Sequence, residues 1–168
     1  MTVSSTKTNT DLSLSALAIE KLASSGISPE EVLGAGLYSV ENAREEVHHE
    51  FAARPALVFS YFNLDGSRIF FEKDGESHAF IRIRYLNTPR TKSSGKAKLQ
   101  RYAQLQGSSI HPYFPPVFDC DWADIANDTS IALGITEGEL KALKACLEGF
   151  PTIGITGVDC FRRKVGGA

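Results

Sequence analysis

The spacing of apolar residues changes along the chain, and each change predicts a different element. Leu14, Leu17, Ile19 and Leu22 recur at helical intervals and end near Gly26, which predicts a short helix with one apolar face. A second short helix is expected from Ser28, where Pro29 suits the first position and Glu31 stands three residues on to close a capping box. This helix is too short and too acidic to enter a DNA groove, so the pair is read as a small helical cap rather than a helix-turn-helix. Ser39 is placed to cap a third helix over residues 40–51. From Ala56 the period falls to two. Residues 56–62 and 67–72 flank the turn sequence Asn63-Leu64-Asp65-Gly66 and predict an antiparallel hairpin. A third strand follows, in which Ala79, Ile81, Ile83 and Tyr85 alternate with His78, Phe80, Arg82 and Arg84, so that one face is apolar and the other partly cationic. Residues 87–98 are rich in Pro, Gly, Ser and basic side chains and predict a mobile loop with no share in a core. The prolines of His111-Pro112-Tyr113-Phe114-Pro115-Pro116 exclude a helix and predict a rigid connection into the core.

The end of the chain reads as strand, helix and strand within residues 131–158. Asp121 to Asn127 gives a short helix leading into it. Ile131, Leu133 and Ile135 suggest a strand buried on both faces. Leu140, Leu143 and Leu147, with Cys146 beside them, form one face of a helix whose other side carries Lys141, Lys144 and Glu148. Gly149 and Pro151 end that helix, and residues 152–155 make the second strand. A crossover this short should be parallel and right-handed. The carboxyl ends of the two strands then share one edge, which brings Thr136-Glu137-Gly138 beside Thr156-Gly157, where open α/β sheets hold their ligands. Thr136 and Glu139 have capping-box spacing, the preferred reading of Glu139. Glu137 is not needed for a cap. It is either a carboxylate favoured by the helix dipole or one that holds Mg²⁺ and serves phosphoryl chemistry. Gly138 and Gly157 let a phosphate or metal-bound ligand approach the backbone.

Composition adds limits and one asymmetry. The chain of 168 residues has 42% hydrophobic and 23% charged residues, which suits a single globular domain after a polar, unpatterned stretch at residues 1–12 that is expected to be disordered. No apolar run reaches membrane-span length and the Ser/Thr-rich beginning lacks the apolar core of a secretory signal, so a cytoplasmic protein without membrane contact is expected. Cys120, Cys146 and Cys160 lack CxxC spacing, and the four histidines are dispersed except for His48 and His49, which as neighbours on a helix cannot share a face. Neither a disulfide framework nor a zinc site is expected. The net charge is −2, yet Arg82, Arg84, Arg90, Lys92, Lys96, Lys98 and Arg101 fall in one window without an acid, leaving −9 on the remainder. Such a window, with Phe80 and Tyr102 close in sequence, is suited to the phosphates and bases of single-stranded nucleic acid. A solvated strand face followed by a solubilising loop is the plainer alternative.

The run ITEGELKALKACLEGFPTIGITGV, residues 135–158, resembles the Toprim-like segment of uncharacterised domains in plasmid and phage replication proteins, which are often fused to primase or helicase modules. The likeness extends upstream through GISPEEVLGAGLYSV, RPALVFSYFNLDG and QGSSIHPYFPP. The resemblance implies that Glu137, ahead of Gly138, is the acidic residue of an active site, that Mg²⁺ is its ion, and that a primase or helicase is a partner or fused neighbour. One departure is large. A Toprim site also uses an Asp-x-Asp pair on a later strand, and none follows before Ala168. Asp119 and Asp121 have the spacing but precede the Glu137 strand, so the role is not carried to them. The expectation is an α+β domain over residues 13–168: small N-terminal helices, an antiparallel hairpin or meander, a basic loop, and a terminal β-α-β unit resembling part of a Toprim fold. Two functions follow: a replication-associated nucleic-acid-handling module, incomplete as a catalyst alone, or a non-catalytic module that binds single strands or a replisome partner.

Overall fold

The structure, a computed structural model, describes residues 13–87, 90–93, 96–117 and 120–157, with the backbone alone at 90–93 and 96–99. The stretch 1–12, Asp119 and residues 158–168 lie outside the described residues. The first helix, α1 (Ala16–Ala23), is capped by the Ser15 hydroxyl, which accepts from the Ala18 N–H. Its inward residues are Ala18 and Leu22, with Leu14 beside them, while Leu17 and Ile19 stay exposed. A 3₁₀ turn at Glu30–Val32 follows, and the Glu31 carboxylate accepts from the Ser28 N–H at 2.6 Å, one half of the expected capping box.

The third helix is displaced. Leu37–Val40 forms strand β1, and the helix α2 is a single turn, Ala43–Glu46, capped by Asn42. Leu37-Tyr38-Ser39-Val40 alternates in a β-compatible way and finds an edge to pair with, which outweighs the local cap signal at Ser39. That edge belongs to β2 (Ala56–Ser60), every residue of which is buried.

The expected hairpin of 56–62 with 67–72 is reduced to one bridge, Phe62 with Arg68. Strand β3 (Phe70–Lys73) instead pairs with β4 (Glu76–Ala79), around Asp74 and Gly75, both at positive φ. Strand β2 pairs with β5 (Ile81–Tyr85), whose other neighbour is β8 (Tyr102–Gln104). The result is an antiparallel four-stranded sheet in the order β1-β2-β5-β8. Between β5 and β8 the backbone makes a further hairpin, β6 (Arg90–Ser93) with β7 (Lys96–Leu99). The expected mobile loop is therefore partly regular, since a Ser-Gly dipeptide between runs containing Thr and Leu is also a hairpin signal.

The terminal unit forms as a parallel pair. After α3 (Trp122–Asn127), capped by Asp121, come β9 (Gly134–Glu137), α4 (Glu139–Leu147) and β10 (Thr152–Ile155). Strand β9 begins later than its apolar run suggests, and Ile131, Leu133 and Ile135 are exposed rather than buried on both faces. The reason is that the β9–β10 sheet has two strands and is covered on one side by α4, so it cannot bury both faces. Gly134 allows the close start of the pair: a Cβ there would stand 2.5 Å from the Thr152 hydroxyl. Gly149, at φ 83, ends α4 as its sequence predicts.

Two apolar cores sandwich the main sheet. Leu57 and Phe59 point to the side on which α1 and α4 pack through Ala18, Leu22, Leu140 and Leu143. Val58 and Ile83 point to the other, with Val40, Phe51 and Tyr85. The register sets Arg84 opposite Leu57 and Arg82 opposite Phe59. Both arginines therefore lie on the face that carries α1 and α4.

Candidate functional site

At the carboxyl edge of the parallel pair, Ile155 is the register partner of Glu137, and the Gly138 N–H donates to the Ile155 carbonyl at 2.9 Å. Thr156-Gly157 thus stands beside Glu137-Gly138, as the strand order predicts. Gly138 adopts φ 93, a conformation that favours glycine, and the space where a Cβ would point is open. Glu137 is exposed. Among the described residues, no group of three His, Cys, Asp or Glu side chains within metal-ligand reach includes it. One carboxylate does not make an Mg²⁺ site, because the octahedral ion would draw nearly its whole shell from water. The described residues at this edge do not fit the ion.

The capping box at Thr136 and Glu139 does not form. Gly138 is the N-cap of α4 and no side chain caps it. Glu139 is instead 1% exposed and turned into the protein, where its carboxylate pairs with Arg82 and accepts from the Tyr61 hydroxyl at 2.8 Å. A buried guanidinium from β5 is a stronger partner for a carboxylate than an exposed amide of its own turn. The same contact removes Arg82 from the expected nucleic-acid surface: it is 8% exposed, and Phe80 is fully buried. The cationic face of β5 exists as the alternation predicts, but α1 and α4 cover part of it.

Electrostatics follow from this burial. Desolvation alone lowers the Arg82 pKa, and the Glu139 carboxylate with Tyr61 more than offsets it, so the net direction is upward. Burial, then the Glu139 charge, raises the Tyr61 and Tyr113 phenols. Arg82 Nε, Glu139 Oε2 and the Tyr113 hydroxyl are buried without a hydrogen-bond partner. Tyr113 is held there by a bridge to Gly154, each N–H donating to the other's carbonyl. Here the rigid HPYFPP segment does enter the core.

Beyond the covered part, the same face presents charge. Arg84 Nη1 donates to the Tyr102 hydroxyl at 2.6 Å, and its guanidinium lies 4.9 Å from that ring. Arg101 is exposed, and Lys21 of α1 stands close enough that Arg84 and Arg101 add to burial in lowering its pKa. None of the three makes an ion pair among the described residues, whose pairs are Lys73–Glu50, His78–Glu76, Arg82–Glu139 and Lys144–Glu148. The β6–β7 hairpin departs from this place, since Arg84 is the partner of Tyr102 and the Tyr85 N–H donates to the Arg101 carbonyl. Arg90, Lys92, Lys96 and Lys98 are on that hairpin, and their side chains lie outside the described residues. Lys21 had no sequence signal, because only tertiary packing carries the last turn of α1 to the sheet.

The architecture defines an α+β protein with a terminal parallel β-α-β unit. A family profile described as a domain of unknown function, DUF3854, matches residues 121–167, the stretch that holds α3, β9, α4 and β10. The match starts at Asp121, so the stretches upstream of it lie outside the matched region, and its description assigns no activity. No curated protein and no solved structure matches the chain. No helix among the described residues is long and apolar enough to cross a membrane.

Proposed function

We propose that this chain is a replication-associated, cytoplasmic module that holds single-stranded nucleic acid by its phosphates, and that its Toprim-like edge is not a complete catalyst. The observation that carries the reading is the convergence of Lys21, Arg84 and Arg101 beside Tyr102, none of the three in an ion pair among the described residues. Uncompensated cations from separate elements repel one another. They are retained at a stability cost that an anionic ligand reverses. The ring of Tyr102 is half-buried between Arg82 and Arg84, so it orders the patch, and phosphate contact rather than base stacking carries affinity. The β6–β7 hairpin would extend the patch with Arg90, Lys92, Lys96 and Lys98. Any nucleotidyl transfer through Glu137 would require acids from a primase, a helicase or another fused domain.

Anisotropy of a labelled single strand, titrated across a salt series, tests this. About five phosphate contacts give a slope of log K against log salt near about −3.5. Neutralising Lys21 and Arg101 together with Lys92, Lys96 and Lys98 should flatten that slope and weaken binding. Absence of binding at low salt, or binding unchanged in that variant, would overturn the proposal.

A further inference from the structure

His48 and His49 are not on a helix. Helix α2 ends at Glu46, and the chain turns through residues 47–51, so the two histidines need not diverge as neighbours on a helix do. Their rings come together with centroids 4.2 Å apart and planes 32° from parallel. One potential ligand atom each from His48, His49 and Glu50 lies within 4.8 Å of the others. His78, on strand β4 of the neighbouring hairpin, brings a third imidazole to 5.7 Å from that of His48, centre to centre. We propose that His48, His49 and Glu50 bind a divalent transition-metal ion of the Zn²⁺ class, with His78 completing the shell.

The donor set selects the ion. Imidazole nitrogens with one carboxylate suit Zn²⁺, Ni²⁺ or Cu²⁺, whereas Mg²⁺ and Ca²⁺ take oxygen ligands. Atoms bound to one zinc ion at about 2.0–2.1 Å lie roughly 3.3 Å apart. Small side-chain rotations close the gap, and His49 is exposed and free to make them. The His48 Nδ1 accepts a 3.2 Å bond from the exposed Glu50 N–H, and water can replace that acceptor when the metal takes the lone pair. Lys73 is the opposing charge. Its ammonium is already paired with Glu50 and donates to the Gln106 carbonyl at 3.0 Å, and the Glu50 carboxylate also accepts from the Gln106 N–H. A carboxylate has about four lone-pair sites, so these bonds leave room for a metal. An ion here would tie the turn after α2 to the β3–β4 hairpin.

Titration of the untagged full chain with Co²⁺, read by visible absorption and followed by Zn²⁺ competition, tests the site. One Co²⁺ per chain is expected, with a ligand-field band that Zn²⁺ abolishes. His49→Ala should weaken binding by about tenfold or more with an unchanged circular dichroism spectrum, and His78→Ala should also weaken it. No binding of either ion up to millimolar concentration would overturn the proposal. So would wild-type affinity in both His49→Ala and Glu50→Gln.

Discussion

Arg82 and Glu139 form an ion pair inside the protein, across 57 positions of sequence. It joins the centre of the four-stranded sheet to the first residue of α4, and the Tyr61 hydroxyl completes the contact from β2's end of the core. The two halves of the chain are thereby locked in one register by a charge pair that neither can satisfy alone.

Removing either partner strands the other charge in the interior. Glu139→Ala and Arg82→Ala should each cost about 3–5 kcal/mol in urea denaturation, more than the loss of an exposed helix cap. The double variant Arg82→Met with Glu139→Leu should recover much of that loss, because it leaves no buried charge. Single-variant losses below about 1 kcal/mol would contradict the pairing.

Glu137, one strand position before the cap, should behave in the opposite way. It is exposed and makes no ion pair among the described residues. Glu137→Gln should change stability by no more than about 0.5 kcal/mol in the same experiment. A loss as large as that of Glu139→Ala would assign Glu137 a structural role.

Cys146 is expected to be chemically quiet. Burial pushes its thiol up to about 12, although the Thr152 N–H donates to the sulfur and lowers it in part. At pH 8 about one molecule in ten thousand carries the thiolate. Iodoacetamide at that pH should therefore leave the Cys146 peptide unmodified in the native chain and label it in denaturant, as read by mass spectrometry. Rapid native labelling would show that α4 opens.

The Glu31 carboxylate accepts from the Ser28 N–H, and this bond above all holds its pKa below the ordinary 4.5. The charged form is the bonded one. Its stabilising contribution is present above the unfolded value and lost as pH falls through the lowered folded value. A carboxyl-carbon NMR titration should place the Glu31 midpoint below 4.5. Glu31→Gln should reduce the acid sensitivity of folding; an unshifted midpoint would count against the turn.

What the sequence made legible was local. Helix α4, its glycine stop and the parallel pairing around it follow from a periodic run bounded by turn residues. The short helix read over Asp121 to Asn127 forms at Trp122–Asn127, with Asp121 as its cap. Pairings between distant segments were not legible. Local alternation predicts β2 against the next strand-like stretch, yet β2 lies between β1 and β5, a central place in which each of its faces meets an apolar core. Glu139 fits a capping box in sequence, and only the fold reveals a guanidinium from β5 within reach. Arg82 and Arg84 differ by two residues and look equivalent, but α4 covers one and leaves the other at the patch. His48 and His49 meet although a helix is expected over them, because that helix ends at Glu46.

The order β1-β2-β5-β8 is that of a plain meander with extra length let into two of its reversals. The β3–β4 hairpin enters where Ser60 meets Ile81, and β6–β7 enters at the opposite end of β5, where Arg84 meets Tyr102. Strand register in the meander is fixed by the pairings on either side of β5, so it does not depend on how long the second excursion is. The chain can therefore lengthen, shorten or exchange β6–β7 while its core stays in step. Four of the seven cations in the basic window ride on that arm, so, under the proposed function, their number and spacing can change without any revision of the scaffold.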